Sequence, residues 1–324
     1  MHGIVSESNN QQKQEVKETE IINSEENRLF LKVIMKQVDG ISRHYFKGSD
    51  EIIPTTSVVG IVKKASEKAG SDFGVKTGNL VFVEPPIPCN KCSTCLTGHY
   101  SACAQNMRYD VDSADYMTVF EESRVHKLPD DIDIRLAGLL NPMGKAFYAV
   151  SEKGGTGIGK HVLILGSNLF AALCAICAKV CGASQVMLVS LTKPDKGLTD
   201  CLTMFGVVLV NNIQEEPVDI LIDACGNADM FDQAVAKLNP LGKCVLVNYA
   251  KEYSIPMQMV MNHEIVITGM DEASWCFDQT LRILQCHPEL MDAIQTLSFA
   301  FESYKDAINA VEKNPYANVV LANK

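Results

Sequence analysis

Short apolar runs recur through the first part of the chain, and segments rich in turn-forming residues separate them. Leu29–Met35, Val58–Val62 and Leu80–Val83 each have the length and the β-branched content of a buried strand. Tyr116–Phe120 and Arg124–Leu128 continue the series further along the chain. Short strands at this spacing are typical of a small β-rich domain.

The pattern changes near residue 144, where apolar strands begin to alternate with helices. His161–Leu165 is a mostly apolar run, as expected of a strand that is buried on both faces. An alanine-rich helix is predicted over Leu169–Val180, and a second over Met230–Leu238. The further predicted strands are Gln185–Val189, Val207–Val210, Val218–Ile222, Lys243–Val247 and Ile265–Gly269. This alternation predicts parallel β-α-β units.

Together these patterns predict an α/β protein with two domains. Residues 144–276 are assigned to a Rossmann-type, doubly wound parallel sheet that binds a dinucleotide. Residues 1–143 and 277–324 are assigned to a β-rich substrate domain, which carries a cysteine-rich lobe at about 85–104. Within the last segment, Pro288 is expected to break residues 277–296 into two helices.

Length and charge restrict the classes of function that the chain can have. Its 324 residues suffice for two domains of ordinary size, and its net charge of −10 argues against a general binder of nucleic acid or anionic membranes. No apolar run approaches the roughly 18 residues of a membrane span. Twelve cysteines without a hydrophobic signal region predict a reducing, cytoplasmic environment.

Four cysteines fall within fifteen residues and form the most specific motif of the chain. Cys89, Cys92, Cys95 and Cys103 are close enough to surround one ion, and Zn²⁺ accepts four thiolates tetrahedrally. Gly98 lies in the longest gap, where the chain must turn back. A closed four-thiolate site has no open coordination position, so we predict one structural zinc. The alternative is scattered buried cysteines or two disulfides.

The turn after the first strand of the second domain carries a partial dinucleotide motif. It reads Gly166-Ser167-Asn168-Leu169-Phe170-Ala171, whereas the full fingerprint has glycine at its first, third and sixth positions. Asn168 tolerates a positive φ better than most residues, and Ala171 is an accepted replacement for the last glycine. We predict that Gly166, Ser167, Asn168 and Leu169 contact a dinucleotide. The alternative is an α/β core that holds no nucleotide.

The end of the second strand bears on the choice of cofactor. An NAD-selective site has an acidic residue there, whereas this chain has Ser190, followed by Lys193. A small neutral residue and a nearby cation suit a 2′-phosphate, so we predict a preference for NADP(H) over NAD(H). Alternatively, Lys193 and Lys196 only solvate a loop. Four residues at the ends of later strands are predicted to line the ribose and nicotinamide: Cys225, Gly226, Val247 and Asn248.

The order of these features resembles a known family. A β-rich part and a four-cysteine lobe are followed by Leu128-Pro129-Asp130-Asp131, by a helix with Asn141-Pro142, and by a nucleotide fold. This order resembles the zinc-type alcohol and polyol dehydrogenases of the medium-chain dehydrogenase/reductase superfamily. The resemblance implies a GroES-like first domain, a small-molecule substrate and a homodimer or homotetramer. It also implies a catalytic zinc, which polarises the substrate oxygen while a nicotinamide exchanges hydride.

The chain departs from this family at the positions of the catalytic zinc ligands. The resemblance places Asp39 at the cysteine position, Thr56 at the histidine position with Ser57 beside it, and Asn141 before the proline. Of these four side chains, only the carboxylate is a good zinc ligand. We therefore predict that the structural zinc is kept and the catalytic zinc is lost. His44 is a possible substitute ligand.

Without a catalytic metal, other groups must polarise the substrate. The resemblance places Asp39, Ser42, Thr56 and Asn141 at the cleft, and a desolvated Asp39 could donate a proton. The alternative is that these residues replaced a decayed site and have no role. We therefore consider three functions: an NADP(H)-dependent oxidoreductase of sugars, polyols or other small alcohols and carbonyls, a zinc-independent enone reductase, and a non-catalytic nucleotide-binding protein.

Overall fold

The structure is a computed structural model that describes residues 28–38, 57–108, 115–248, 252–274 and 276–322. The catalytic candidates Asp39, Ser42 and Thr56 lie outside the described residues.

The described residues form both strands and helices. The strands are β1 Leu29–Val38, β2 Val58–Ala65, β3 Leu80–Val83, β4 Pro86–Ile87, β5 Met107–Arg108, β6 Tyr116–Val119, β7 Val125–Lys127, β8 His161–Leu165, β9 Gln185–Val189, β10 Val208–Val210, β11 Val218–Asp223, β12 Leu238–Leu246, β13 Val266–Gly269, β14 Thr296–Phe299 and β15 Asn318–Ala322. The helices are α1 Glu67–Phe73, α2 Ser93–Leu96, α3 Ile134–Ala137, α4 Leu140–Phe147, α5 Leu169–Val180, α6 Lys196–Met204, α7 Ala228–Val235, α8 Met257–Asn262, α9 Phe277–Cys286, α10 Glu289–Ala293 and α11 Tyr304–Lys313.

The chain forms two compact units. The first contains the described residues up to Asn141, together with Thr296–Lys313 and the residues from Asn318 onward. The second contains Pro142–Gln295 and the short segment Asn314–Ala317. The last part of the chain therefore contributes to both units.

The first unit is built on a seven-stranded sheet in the order β14-β15-β1-β2-β3-β7, with β6 also paired to β1. Its neighbours are antiparallel except for β14 and β15. Leu29, Leu31 and Val33 of β1 are fully buried, whereas the residues between them are half-buried. This alternation buries one face of the strand in the core.

The second unit contains a six-stranded parallel sheet in the order β10-β9-β8-β11-β12-β13. Numbered within the unit, this is the order 3-2-1-4-5-6 of the Rossmann fold. The apolar residues Val162–Leu165 of β8 are buried, because helices and strands cover the centre of the sheet. The predicted fold class is therefore confirmed.

The structure divides the chain differently from the sequence pattern at residues 142–143, 277–295 and 314–317, which all belong to the second unit. The pattern assigns residues 277–295 to the first domain, whereas the structure groups them with the second unit. The rings of Phe205 and His287 lie 4.9 Å apart, and Gly197 is close to Ala293. These contacts pack α9 and α10 beside α6, a helix that the sequence pattern does not predict. Pro288 does separate α9 from α10, as predicted.

None of the helices in the described part of the chain is long and apolar enough to cross a membrane.

Candidate functional site

The four predicted metal ligands converge in the first unit. The Sγ atoms of Cys89, Cys92, Cys95 and Cys103 all lie within 4.8 Å of one another. Gly98 adopts a positive φ of 85°, which allows the chain to turn back between Cys95 and Cys103 as expected. The four sulfurs can therefore bind one tetrahedral ion, and the donor set suits zinc.

Local hydrogen bonds also lower the pKa of two of the four thiols, which favours the thiolate form that a cation binds. Backbone N–H groups of Lys91 and Cys92 lower the pKa of the Cys89 thiol to about 6, and similar contacts with Cys95 lower the pKa of Cys92. Burial raises the pKa of Cys95 to about 12. A bound divalent cation would favour the thiolate at every position. All twelve cysteines of the chain are free in the structure.

A buried polar network anchors this lobe to the rest of the first unit. The Tyr100 hydroxyl, between the third and fourth cysteines, donates to Glu84 Oε2 at 2.9 Å. The other oxygen of Glu84 lies 2.6 Å from His126 Nε2, and the guanidinium of Arg124 lies 4.5 Å from the centre of the Tyr100 ring. Tyr100 thus fixes the lobe to Glu84, and Asn90 adds a second link, because its Nδ2 donates to the Glu122 carbonyl at 2.9 Å.

Asn141 is the one predicted catalytic residue that the structure describes. Its side chain is buried, and its Nδ2 donates to Gln37 Oε1 at 3.2 Å within the first unit. Ser57, beside the predicted histidine position, is also buried. Amide and hydroxyl groups of this kind can orient a substrate oxygen, but they are poor zinc ligands.

The predicted nucleotide residues gather at the carboxyl edge of the parallel sheet in the second unit. Gly166 directly follows β8, and a Cβ atom there would lie 2.6 Å from Cβ of Ala171 and 3.3 Å from Cβ of Ala224. Only glycine therefore allows α5 to start so close to the sheet. This is the packing role of glycine in a dinucleotide turn.

Asn168 stabilises the start of α5. Its φ is −149°, so it does not use the positive φ that asparagine tolerates. It is the N-cap of α5: its Oδ1 accepts from the Ala171 N–H at 2.8 Å, while its Nδ2 donates to the Ala224 carbonyl at 3.1 Å. The capping bond requires an extended backbone, because a helix N-cap precedes the helical φ and ψ values. Asn168 thereby links α5 to the end of β11.

Serine hydroxyls connect the same turn to the end of β9. Ser167 Oγ accepts from the Leu191 N–H at 2.9 Å and lies 3.2 Å from Ser190 Oγ. Ser190 is buried, and its hydroxyl donates to the Thr192 carbonyl at 2.6 Å. Lys193 is exposed beside it. The two predicted determinants of cofactor choice therefore differ in accessibility.

Asp223 organises the remaining predicted residues at this edge. Its Oδ1 accepts from the backbone N–H groups of Cys225 and Gly226, at 3.0 and 3.1 Å. Burial and this carboxylate raise the pKa of the Cys225 thiol to about 12. Val247 donates its N–H to the Asp223 carbonyl at 3.1 Å, and Asn248 Nδ2 donates to the Ala224 carbonyl at 3.0 Å.

Sequence patterns did not single out several polar groups of the second unit. Asp223 could have been found, because an aspartate two residues before a Cys-Gly pair is typical of an Asx-turn. Tyr316, Lys145 and Glu272 gave no such signal, since their partners are distant in sequence. The Lys145 and Glu272 side chains are 3% and 1% exposed and form an ion pair at 3.3 Å. Such pairs lose much of their attraction to desolvation, and for that reason they often mark functional regions.

Known proteins resemble this chain both in its first unit and over longer parts of its length. Residues 25–130 match the family model described as the alcohol dehydrogenase GroES-like domain. The probable D-xylulose reductase A of Neosartorya fischeri is 29% identical over 223 residues, which cover 62% of this chain and 62% of that protein. The sorbitol dehydrogenase of Bombyx mori is 24% identical over 81% of this chain and 79% of its own length.

A solved structure extends the likeness to the whole fold. It is an Escherichia coli protein described as a short chain alcohol dehydrogenase complexed with NADH. The TM-score is 0.77 at 19% identity, and the match covers 92% of each chain. At this identity the likeness concerns the fold alone.

Proposed function

We propose that this chain, which belongs to the medium-chain dehydrogenase/reductase superfamily, is a nicotinamide-dependent oxidoreductase of a sugar, a polyol or another small alcohol or carbonyl compound. The carrying observation is the convergence of Gly166, Ser190, Gly226 and Asn248 at the carboxyl edge of a sheet in Rossmann order. Ligands of open parallel sheets bind at that edge. The D-xylulose reductase and sorbitol dehydrogenase relatives support the substrate class.

A nicotinamide cofactor would supply or accept the hydride, and the chain would position it. Gly166 allows the tight turn from β8 into α5, and Asp223 fixes the loop of Cys225 and Gly226. The neutral Ser190 and the exposed Lys193 support a preference for NADP(H) over NAD(H). Fluorescence titration with NADPH and NADH measures this preference, and tighter binding of NADH would contradict it.

The cysteine lobe supports one structural zinc per chain, held by Cys89, Cys92, Cys95 and Cys103. The substitutions at the other ligand positions support the loss of the catalytic zinc. Elemental analysis of the purified protein should therefore find about one zinc per chain. Two zincs per chain would contradict this proposal.

In place of a catalytic zinc, we propose that Asp39, Ser42, Thr56 and Asn141 polarise the substrate oxygen. The buried amide of Asn141 supports this role, because a hydrogen bond in a desolvated site stabilises developing charge. Asp39→Ala should reduce turnover by roughly a hundredfold if the carboxyl group is the proton donor. An unchanged rate would reject that assignment.

A substrate panel separates the candidate reactions. Sorbitol, xylitol and D-xylulose test the polyol activity with each nicotinamide, and a simple enone tests the zinc-independent C=C reduction. Oxidation of NADPH by the enone but not by the ketose would favour the enone reductase. Cofactor binding without turnover of any compound would identify a non-catalytic nucleotide-binding protein.

The edge strand of the second unit supports a homodimer or homotetramer. β13 ends the six-stranded sheet, and its Val266 side chain is 50% exposed. The nearby Leu241 and Met261 are also exposed. Apolar groups at a sheet edge favour pairing with another copy. Light scattering should find an oligomer, and Val266→Lys should shift it toward monomer.

A further inference from the structure

A short turn from the end of the chain lies on the predicted nucleotide edge. Asn314–Ala317 belongs to the second unit, although the helix before it and the strand after it belong to the first. The carbonyl of Pro315 accepts a hydrogen bond from the Leu169 N–H at 2.8 Å. Tyr316 is only 8% exposed, and its hydroxyl contacts Ser190 Oγ and lies 3.0 Å from the Thr192 carbonyl oxygen.

This turn uses donors that a dinucleotide would need. Phosphate groups bind at a helix N-terminus by accepting from its first N–H groups. At the start of α5, Leu169 donates to Pro315, and Ala171 donates to the Asn168 side chain. The first intrahelical bond runs from the Ala172 N–H to the Asn168 carbonyl at 3.2 Å. Protein oxygens therefore accept from two of the N–H groups that precede this bond.

The hydroxyl of Ser190, which directly follows β9, also has its partners within the chain. Ser190 Oγ has three oxygen neighbours, namely the hydroxyls of Ser167 and Tyr316 and the carbonyl of Thr192. A serine hydroxyl has one proton to donate and two lone pairs to accept, so these neighbours fill its capacity. A ribose hydroxyl or a 2′-phosphate could bond to Ser190 only by displacing one of them.

We propose that the Pro315–Tyr316 turn is an autoinhibitory strap over the adenosine half of the dinucleotide site, and that Tyr316 sets the affinity for the cofactor. This proposal rests on the proposed function. A dinucleotide binds when the strap releases the Leu169 N–H and the Ser190 hydroxyl. The measured affinity is then the intrinsic affinity reduced by the fraction of molecules with an open strap.

Two substitutions at one position test the strap. Tyr316→Phe keeps the ring and removes only the hydroxyl bonds to Ser190 and Thr192, whereas Tyr316→Ala also removes the ring. Tyr304→Phe in α11 is the matched control for loss of a tyrosine hydroxyl. NADPH and NADH are each titrated into the full chain and followed by nicotinamide fluorescence, and amide hydrogen exchange reports the Leu169 N–H without cofactor.

We expect Tyr316→Phe to bind its preferred nicotinamide about tenfold more tightly than the parent. The reason is that the variant loses the hydroxyl bonds that hold the strap closed. Tyr316→Ala should bind at least as tightly, and the Leu169 amide should exchange faster in both variants. Tyr304→Phe should match the parent in both measurements.

Two other outcomes overturn the strap, and they differ in what they leave standing. Tight binding by the parent, with equal or weaker binding by both variants, would show that the turn does not obstruct the site, while the proposed function would remain. No binding by the parent or by either variant would reject both the strap and the nicotinamide-dependent function.

Discussion

The cysteine lobe and the nucleotide edge treat their polar groups in opposite ways. In the lobe, four sulfurs face one another within 4.8 Å, and a cation is the partner that completes them. At the nucleotide edge, Asn168, Pro315 and Tyr316 supply the partners from the chain itself. The lobe therefore offers four sulfurs to an ion, whereas hydrogen bonds within the chain already pair these donors at the edge of the sheet.

The largest expected effect comes from removing one sulfur of the lobe. Cys103→Ser should abolish zinc binding and lower the free energy of unfolding by about 4 kcal/mol or more, because loss of a structural metal is among the most damaging changes. This corresponds to a decrease in Tm of roughly 10 °C. The exposed Cys286→Ser is the matched control and should keep both values. Full zinc content in Cys103→Ser would contradict the four-sulfur site.

A tight packing contact at the nucleotide edge should have the next largest effect. Gly166→Ala places a methyl group 2.6 Å from Cβ of Ala171, so α5 must shift away from the sheet. We expect a loss of about 3 kcal/mol in urea denaturation, which is typical of severe overpacking. Gly157→Ala is the control, because no atom lies within 4 Å of its added Cβ. Equal stability of the two variants would show that the edge is loosely packed.

Asn168, the N-cap of α5, tests how much the hydrogen bonds at this edge contribute to the stability of the protein. Asn168→Ala removes the bond to Ala171 and the bond to Ala224, and should cost about 2 kcal/mol. Asn168→Asp keeps the cap acceptor and should cost about half as much. Thermal denaturation compares the two variants. An unchanged Tm of Asn168→Ala would mean that water replaces the side chain without loss of stability.

The last test should leave the stability of the protein unchanged. It measures the rate at which individual thiols react. At pH 8, Cys225 should have roughly one thiolate in ten thousand molecules, given a pKa of about 12, and should react very slowly with iodoacetamide. The exposed Cys286 should react before Cys225. Mass spectrometry of digested protein measures the order. Rapid labelling of Cys225 would indicate that the Asp223 loop opens.

Much of the fold followed from local patterns. β3 and β8, as well as α5, have the bounds that the apolar runs predict, because a buried strand or helix must present apolar groups along its length. α6 was not predicted from the sequence, although Asp195 is a capping residue and the buried Leu198, Cys201 and Leu202 have helical spacing. The grouping of α9 and α10 with the second unit also needed the structure, because packing between helices leaves no mark in local spacing.

The sequence by itself determined the four-cysteine lobe, the alternating strands and helices of the Rossmann-type unit and the position of Gly166, because each follows from a local pattern along the chain. Only the tertiary structure decided what satisfies the start of α5 and the end of β9. Pro315 and Tyr316 reach these groups from more than a hundred residues away. Hydrogen bonds depend on distance and direction in space, and an unpaired donor in the sequence does not reveal which distant acceptor the fold will bring to it.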